Sequence, residues 1–192
     1  MGLRFSFLIY SRNGAVDLNQ PAAGDEAAAV VRRLFPRTPY RRVDAQPLLS
    51  VCFPDQDSIA VGVFSDGMLI ATFDAHLDDP DTLDERYLTL TEWPDVQLLT
   101  SRSVNDMCGY GHWKSGSLVR CFSVNSDAGV WCDDGSPEEF EGHAPVTPER
   151  WLDLANSALA SSLRLEGDVA PPVRNATQWE DVALHVFQRA DR

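Results

Sequence analysis

The sequence predicts a single α+β domain with a mainly antiparallel sheet of about seven strands and two principal helices packed on it. Three observations predict this fold class. Short turn sequences join apolar segments of strand length, two segments have helical periodicity, and no succession of strand, helix and strand requires a parallel core. The 192 residues are enough for one hydrophobic core. We expect one domain over residues 1–192, with the sheet core in 1–135 and a helix and tail in 146–192.

A hairpin is predicted at the centre of the sheet. The segments 58–64 and 68–74 are almost wholly apolar, which is typical of strands that are covered on both faces. They flank Ser65-Asp66-Gly67, a sequence that favours a tight turn. Further strands are predicted at residues 3–10 and 95–102, and the tail at 180–188 fits either a strand or a helix.

Residues 103–134 predict a three-strand antiparallel meander. Its turns are expected at Lys114-Ser115-Gly116 and at residues 125–129, because Gly, Asn and Asp tolerate the positive φ angles of hairpin turns. With Ser115-Gly116 as a two-residue loop, regular pairing places Trp113 opposite Leu118 and His112 opposite Val119. One face then carries Cys108, Tyr110, His112, Val119 and Cys121, and the other carries Trp113, Leu118, Arg120, Phe122 and Val124. Both faces are largely apolar, so both should be covered.

The two principal helices are predicted at residues 24–35 and 147–164. The first has acidic residues at its start, arginines at its end and Pro36 as its stop. The second begins with a threonine and a proline and continues in an apolar stripe. Two shorter helices are expected at residues 46–53 and 80–91.

Net charge restricts the partners that the chain can have. The formal charge is −13 and the isoelectric point is near 4.5. Nucleic acid and acidic membrane surfaces are therefore not expected as partners, because both are bound through basic patches. No apolar run reaches the roughly 20 residues of a membrane span. We expect a cytoplasmic protein with no cofactor, and the sequence leaves its oligomeric state open.

Certain positions of the meander and of the chain upstream carry a family resemblance. They are Ser103-Val104, Asp106, Trp113, Gly116, Leu118-Val119-Arg120, Ser123-Val124, Asp127, Gly129-Val130 and Asp133, with Met1-Gly2, Val31–Pro36 and the hairpin near residue 66 upstream. This pattern resembles the domain-of-unknown-function family with number 6928, which is common in actinobacteria. The likeness covers most of residues 1–135, with a weaker echo in the tail that favours a strand there, and the sequence departs from the family pattern at the three meander cysteines and at His112. The resemblance implies a fold but no catalytic residues.

The predicted face of the meander offers two candidate reactive sites, a zinc site and a nucleophilic cysteine. Cys108, His112 and Cys121, with Cys132 on the next strand, could ligate zinc, but their spacing matches no known ligand motif. Cys108 or Cys121 could alternatively be a nucleophile that His112 activates and Asp106 orients. An acidic chain is a poor setting for a thiolate, so buried free thiols are the favoured interpretation and no metal is expected.

The absence of a convincing catalytic pattern, together with the charge, favours a non-enzymatic protein-binding domain. A basic partner protein would contact acidic loops at 76–86 and 133–143. Trp113, Arg120 and Asp127 are the candidate binding residues, although Trp113 is expected to pack in the core unless it is an exposed recognition anchor. The alternative is a small hydrolase or transferase that uses the Asp106/Cys108/His112 face.

Overall fold

A computed structural model describes residues 4–12, 14–19, 24–165, 167 and 176–190. It has an α+β fold with one sheet of ten strands, in the order β2-β10-β4-β5-β1-β6-β7-β8-β9, and β3 pairs with β10 beside β2. All pairs between these strands are antiparallel. The strands are β1 (Arg4–Ser11), β2 (Tyr40–Arg42), β3 (Gln46–Pro47), β4 (Ser58–Val63), β5 (Gly67–Thr72), β6 (Asp95–Arg102), β7 (Met107–Lys114), β8 (Ser117–Asn125), β9 (Gly129–Gly135) and β10 (Ala183–Arg189).

The predicted number of strands was too low. The sequence gives no sign of β2 and β3, since these edge segments have only three and two residues and no apolar alternation. The ambiguous tail forms a strand, as the family resemblance favours. The predicted central hairpin is present as β4 and β5, and nearly every one of its residues is buried.

The helices follow the prediction only in part. The described α-helices are α1 (Gly24–Leu34), α2 (Leu48–Val51) and α3 (Trp151–Leu163). The predicted helix at 46–53 shrinks to α2, because residues 46–47 pair with β10 instead. The predicted helix at 80–91 is wrong: this segment forms two 3₁₀ turns, Pro80–Thr82 and Glu85–Leu88. The Asp84 side chain accepts a hydrogen bond from the Arg86 backbone N–H at 2.9 Å, and such local bonds compete with a continuous helix.

Hydrophobic clusters cover the sheet on both faces. In β1, Phe5, Phe7 and Ile9 face one cluster, and Leu8 and Tyr10 face the other. The buried side chains of α3 belong to the first cluster, which we call the α3 face. Those of α1 belong to the second, which we call the α1 face, together with residues from the 73–93 segment. The expectation that both sides of the sheet are covered is therefore confirmed.

The turn between β7 and β8 has the predicted two-residue loop. Ser115 and Gly116 have φ angles of 51° and 80°, so both central residues are in the left-handed region that this type of hairpin requires. Trp113 lies opposite Leu118, as predicted.

Beyond that pair, the predicted register is wrong by one residue. A β-bulge at the His112/Trp113 step leaves Val119 without a partner, so His112 lies opposite Arg120 and Tyr110 opposite Phe122. The extra residue exchanges the faces of all later β8 side chains relative to β7. Arg120 therefore shares the α3 face with His112, whereas Cys121 belongs to the opposite face.

Candidate functional site

Strand β9 forms one edge of the sheet and has an unusual exposed surface for an edge strand. It pairs only with β8 among the described strands. Trp131, which is 45% exposed, is the extra residue of a second bulge, since Ser123 pairs with Cys132 and Val124 pairs with Val130. Together with Leu118 and Val119 of β8, the β9 residues Val130 and Trp131 make up most of the exposed large hydrophobic side chains of the described chain.

Both predicted acidic segments lie next to this edge. Between residues 127 and 141 the chain has six carboxylates and no lysine or arginine. The second segment, with five carboxylates between residues 78 and 85, reaches the same part of the sheet because the Pro80–Thr82 turn contacts β7 and β8. Pro80 packs above Gly111, where an added Cβ atom would lie 3.2 Å from the proline Cβ. Apolar side chains at the edge are thus flanked by negative charge.

Arg120 ties the acidic segment after β9 to the sheet. Its side chain is buried, and its Nε and Nη2 atoms donate to the two carboxylate oxygens of Glu141 at 2.8 and 2.6 Å. Its Nη1 atom contacts the Asp133 carboxylate at 2.7 Å and donates to the Asp134 carbonyl at 2.8 Å. The bond to Glu141 raises the pKa of the guanidinium above its usual range, and burial opposes it. Arg120 is therefore a permanent cation that is neutralised within its own network.

His112 lies beside Arg120 and is held between two carboxylates. Its Nδ1 is 2.5 Å from Glu138 Oε1, and its Nε2 is 3.0 Å from Asp95 Oδ2. Burial lowers the pKa of the imidazole, but the hydrogen bonds to Asp95 and Glu138 outweigh burial, so the pKa is raised. Burial raises the pKa of Asp95, but the hydrogen bond to His112, the charges of His112 and Lys114 and the hydrogen bond from Gln97 together outweigh burial, so the pKa is lowered. The two sites are connected, since the Glu138 backbone N–H donates to Glu141 at 2.9 Å.

A cleft of about 300 Å³ opens beside His112, lined mainly by polar residues. Its wall includes Gln97, whose side chain donates to the Gly14 carbonyl at 2.7 Å and lies 2.5 Å from the Ser162 hydroxyl. Both imidazole nitrogens already have carboxylate partners, so neither is free to activate a nucleophile in this arrangement. No group of His, Cys, Asp and Glu side chains among the described residues could hold a metal ion.

The residues of the predicted catalytic face are dispersed. Asp106 lies just before β7, about 20 Å from His112 at roughly 3.4 Å per residue, and it accepts a bond from the Ser126 hydroxyl. Cys108 shares the α3 face but is fully buried, and burial raises its thiol pKa. Cys121 belongs to the other face, so the predicted grouping of Cys108, His112 and Cys121 is wrong. The bulge at Val119 is the physical reason.

The predicted binding residues have different positions. Trp113 is 4% exposed and packs in the α1-face cluster, over Gly111. Arg120 is buried in the network. Asp127 is exposed in the turn before β9, where its backbone N–H donates to the Asn125 side chain at 2.8 Å. Of the three, only Asp127 presents its side chain to solvent.

Sequence reasoning missed the carboxylates that complete the network and one exposed aromatic residue. Glu138 and Glu141 come from a segment that looks like a solvated acidic loop, and Asp95 comes from the start of a predicted strand. One available signal was Glu138 followed three residues later by Glu141, because the pair forms a reciprocal capping box around a 3₁₀ turn. A second available signal was Trp131, a large aromatic residue in the last strand of the meander, because that strand could form an edge of the sheet.

Comparison with known protein families places most of the chain within one family profile. Residues 6–187 match the profile of the family of unknown function (DUF6928). No curated protein and no solved structure matches the chain. No described helix is long and apolar enough to cross a membrane.

Proposed function

We propose that this chain, which belongs to the family of unknown function (DUF6928), is a non-enzymatic domain that binds a basic protein through its β9 edge. The observation that carries the proposal is an edge strand whose outer side pairs with no described strand, together with exposed apolar side chains and nearby carboxylates. Edge strands present free backbone groups to a partner strand, and proteins often protect them with lysine, proline or a bulge. The sequence of β9 has no lysine and no proline, and its bulge leaves Trp131 exposed.

Trp131 is the proposed anchor of this surface. A large aromatic side chain at the centre of an interface typically contributes much of the binding energy when water is excluded around it. The bulge turns Trp131 away from the regular pairing of β9. Asp134 and Glu139 are exposed nearby and would attract lysine and arginine side chains of the partner.

In this proposal the acidic residues near β9 form two groups with different roles. Asp133 and Glu141 neutralise Arg120, and Glu138 contacts His112, so these three hold the segment after β9 in place. Asp134 and Glu139 have exposed side chains and remain available for a partner. Substitutions of the second pair should therefore change binding without changing the fold.

The test begins with affinity capture from the native host, followed by binding measurements with the identified partner in purified form. We expect binding at about 0.1 M salt and clear weakening at about 1 M, where the screening length falls from about 10 Å to about 3 Å. Trp131→Ala should weaken binding by about 30-fold, the loss expected for a hot spot of about 2 kcal/mol.

Two matched controls lie at the opposite edge of the sheet. Leu49 is 45% exposed, as Trp131 is, and it belongs to α2, which contacts β3 and β10. Leu49→Ala should leave the affinity unchanged. Asp134→Lys should weaken binding much more than the same reversal at Asp44, which is exposed between β2 and β3. Equal effects in either pair, or binding insensitive to salt, would refute the β9 edge as the binding surface.

The rival, a small hydrolase or transferase at the Asp106/Cys108/His112 face, requires a reactive thiolate. Labelling the folded protein with a thiol reagent and locating the adducts by mass spectrometry separates the two proposals. Slow labelling of Cys108 is expected, because burial raises its pKa and no solvent reaches it. Rapid labelling of Cys108 would favour the enzyme. A cytoplasmic location remains part of the same proposal.

A further inference from the structure

Two cysteines that are eleven positions apart in sequence meet on the α1 face of the meander. Cys121 lies opposite Asp134, and Cys132 lies opposite Ser123, so the two cysteines are diagonal neighbours on adjacent strands. Their Sγ atoms are 2.6 Å apart. The two thiols are therefore in direct contact but not bonded, since a disulfide bond is roughly 2.05 Å long and both cysteines are free in this structure.

The two bulges have different effects on this pair. The first, between β7 and β8, sets the face: it places Cys121 on the α1 face rather than beside Cys108 and His112. The second lies immediately before Cys132 and brings the two cysteines together. Without its extra residue, Cys132 would lie opposite Phe122 and would face away from Cys121.

We infer that Cys121 and Cys132 form a reversible disulfide, which makes this pair a thiol-oxidation site at the β9 edge. The other two cysteines are placed differently: Cys108 and Cys52 both belong to the cluster of the α3 face, and Cys52 directly follows α2. The inference does not depend on the proposed protein-binding function, because it concerns only the two sulfur atoms and their oxidant.

The difference in burial assigns the two steps. Cys121 is 1% exposed, whereas Cys132 is partly exposed. Cys132 Sγ, as a thiolate, attacks one sulfur of a low-molecular-weight disulfide such as oxidised glutathione, forms a mixed disulfide and releases one thiol. Cys121 then loses its proton and attacks Cys132 Sγ, which forms the protein disulfide and releases the second thiol. Two electrons pass from the protein to the small disulfide, and each protein thiol proton is taken up by a released thiolate.

Burial and the neighbouring Cys132 sulfur, with a smaller contribution from Asp81, raise the pKa of Cys121. A raised thiol pKa makes Cys121 a poor first nucleophile. It does not prevent the second step, because the Cys132 sulfur is then held next to it. The same close approach should make the mixed disulfide at Cys132 short-lived in the unmodified chain.

The experiment treats the reduced, folded protein with oxidised glutathione, blocks the remaining thiols with an alkylating reagent after unfolding, and maps the peptides by mass spectrometry. We expect a peptide pair joined through Cys121 and Cys132, with Cys52 and Cys108 alkylated. Reduction with dithiothreitol should restore four alkylated cysteines. The inference is overturned if Cys121 and Cys132 are both found alkylated after the oxidation step, or if the joined peptides contain Cys52 or Cys108 instead.

Three variants separate the steps. Cys121→Ser should stop the reaction at a stable glutathione adduct on Cys132, whereas Cys132→Ser should give neither adduct nor disulfide. Cys52→Ser is the matched control and should keep the crosslink. The oxidised form should also have a higher urea midpoint than the reduced form, and Cys121→Ser should lack this shift. A crosslink in Cys132→Ser, or no adduct in a folded Cys121→Ser variant, would contradict the assigned order.

Discussion

Two hairpins of the same sheet, β4–β5 and β7–β8, differ in the regularity of their pairing and in the side chains that they bury. The β4–β5 ladder is regular from Ile59 to Val63, and its strands are almost wholly apolar and buried. The β7–β8 ladder contains a bulge and buries a histidine and an arginine side by side. The first hairpin buries almost only apolar side chains and no charged one. The second needs paired charges, and the bulge is what places them on one face.

The largest expected effect concerns apolar packing in the second hairpin. Trp113→Ala removes a 4%-exposed aromatic side chain and leaves a cavity above Gly111, so it should destabilise the protein by roughly 3–5 kcal/mol. Urea unfolding monitored by circular dichroism measures the loss. A value under about 1 kcal/mol would mean that charge pairing, rather than this aromatic, supports the hairpin.

The second effect concerns the buried charges. Glu141→Ala leaves the Arg120 guanidinium without its bidentate partner and should cost about 3 kcal/mol. Glu139→Ala, in the same 3₁₀ turn but exposed, is the control and should cost less than about 0.5 kcal/mol. Replacing both members, Arg120→Met with Glu141→Leu, should recover most of the lost stability, because no unpaired charge remains buried: Asp133, the other ion-pair partner of Arg120, is half-exposed. If Glu141→Ala were as mild as its control, the network would not stabilise the fold.

The third effect is a pH dependence that arises from His112 of the second hairpin and from its partner Asp95 on β6. Because the folded pKa of His112 is raised, its contribution is fully present below the ordinary histidine pKa of about 6.5 and is lost as the pH rises through the folded value. Asp95 has a lowered pKa, so its contribution is present above about 3.9 and is lost as the pH falls through its folded value.

Urea midpoints measured from about pH 5 to about pH 9 test this dependence. We expect the stability of the unmodified protein to fall across the neutral range as His112 loses its proton. His112→Gln should lower stability at acid pH and flatten this part of the curve. Two parallel curves would contradict the assignment, since the decline would then come from another group.

The smallest effect concerns the exposed end of the meander. Trp131→Ala should change the unfolding free energy by less than about 0.5 kcal/mol, because the side chain is 45% exposed at a bulge. The contrast is then between two tryptophans of one meander: Trp113, which packs in the core, and Trp131, which is exposed on the proposed binding surface. A loss comparable with that of Trp113→Ala would place Trp131 in the core.

The contrast between the β4–β5 and β7–β8 hairpins also explains which features could be predicted from the sequence. Uninterrupted apolar runs predicted β4 and β5, and Ser115-Gly116 predicted the turn, because local residue chemistry determines both. The Val119 bulge depends on how β8 meets β7 and β9: Gly135 packs against the Val119 carbonyl so closely that an added Cβ would lie 2.1 Å away. No pattern within β8 records that contact. Because the predicted register of β8 against β7 was wrong by one residue, it placed His112 and Arg120 on opposite faces and placed Cys121 on the face of Cys108 and His112.

The position of β10 makes the order of synthesis matter for this fold. β10 is the last described strand in the chain, yet it lies between β2 and β4. When β4 and β5 have left the ribosome, the open side of β4 must wait for residues beyond 182 to be translated. At about 5–20 residues per second this takes roughly ten seconds, during which an apolar strand edge is free to pair with another nascent chain. A chaperone that covers this edge would therefore act on the chain before β10 has emerged and paired with β4.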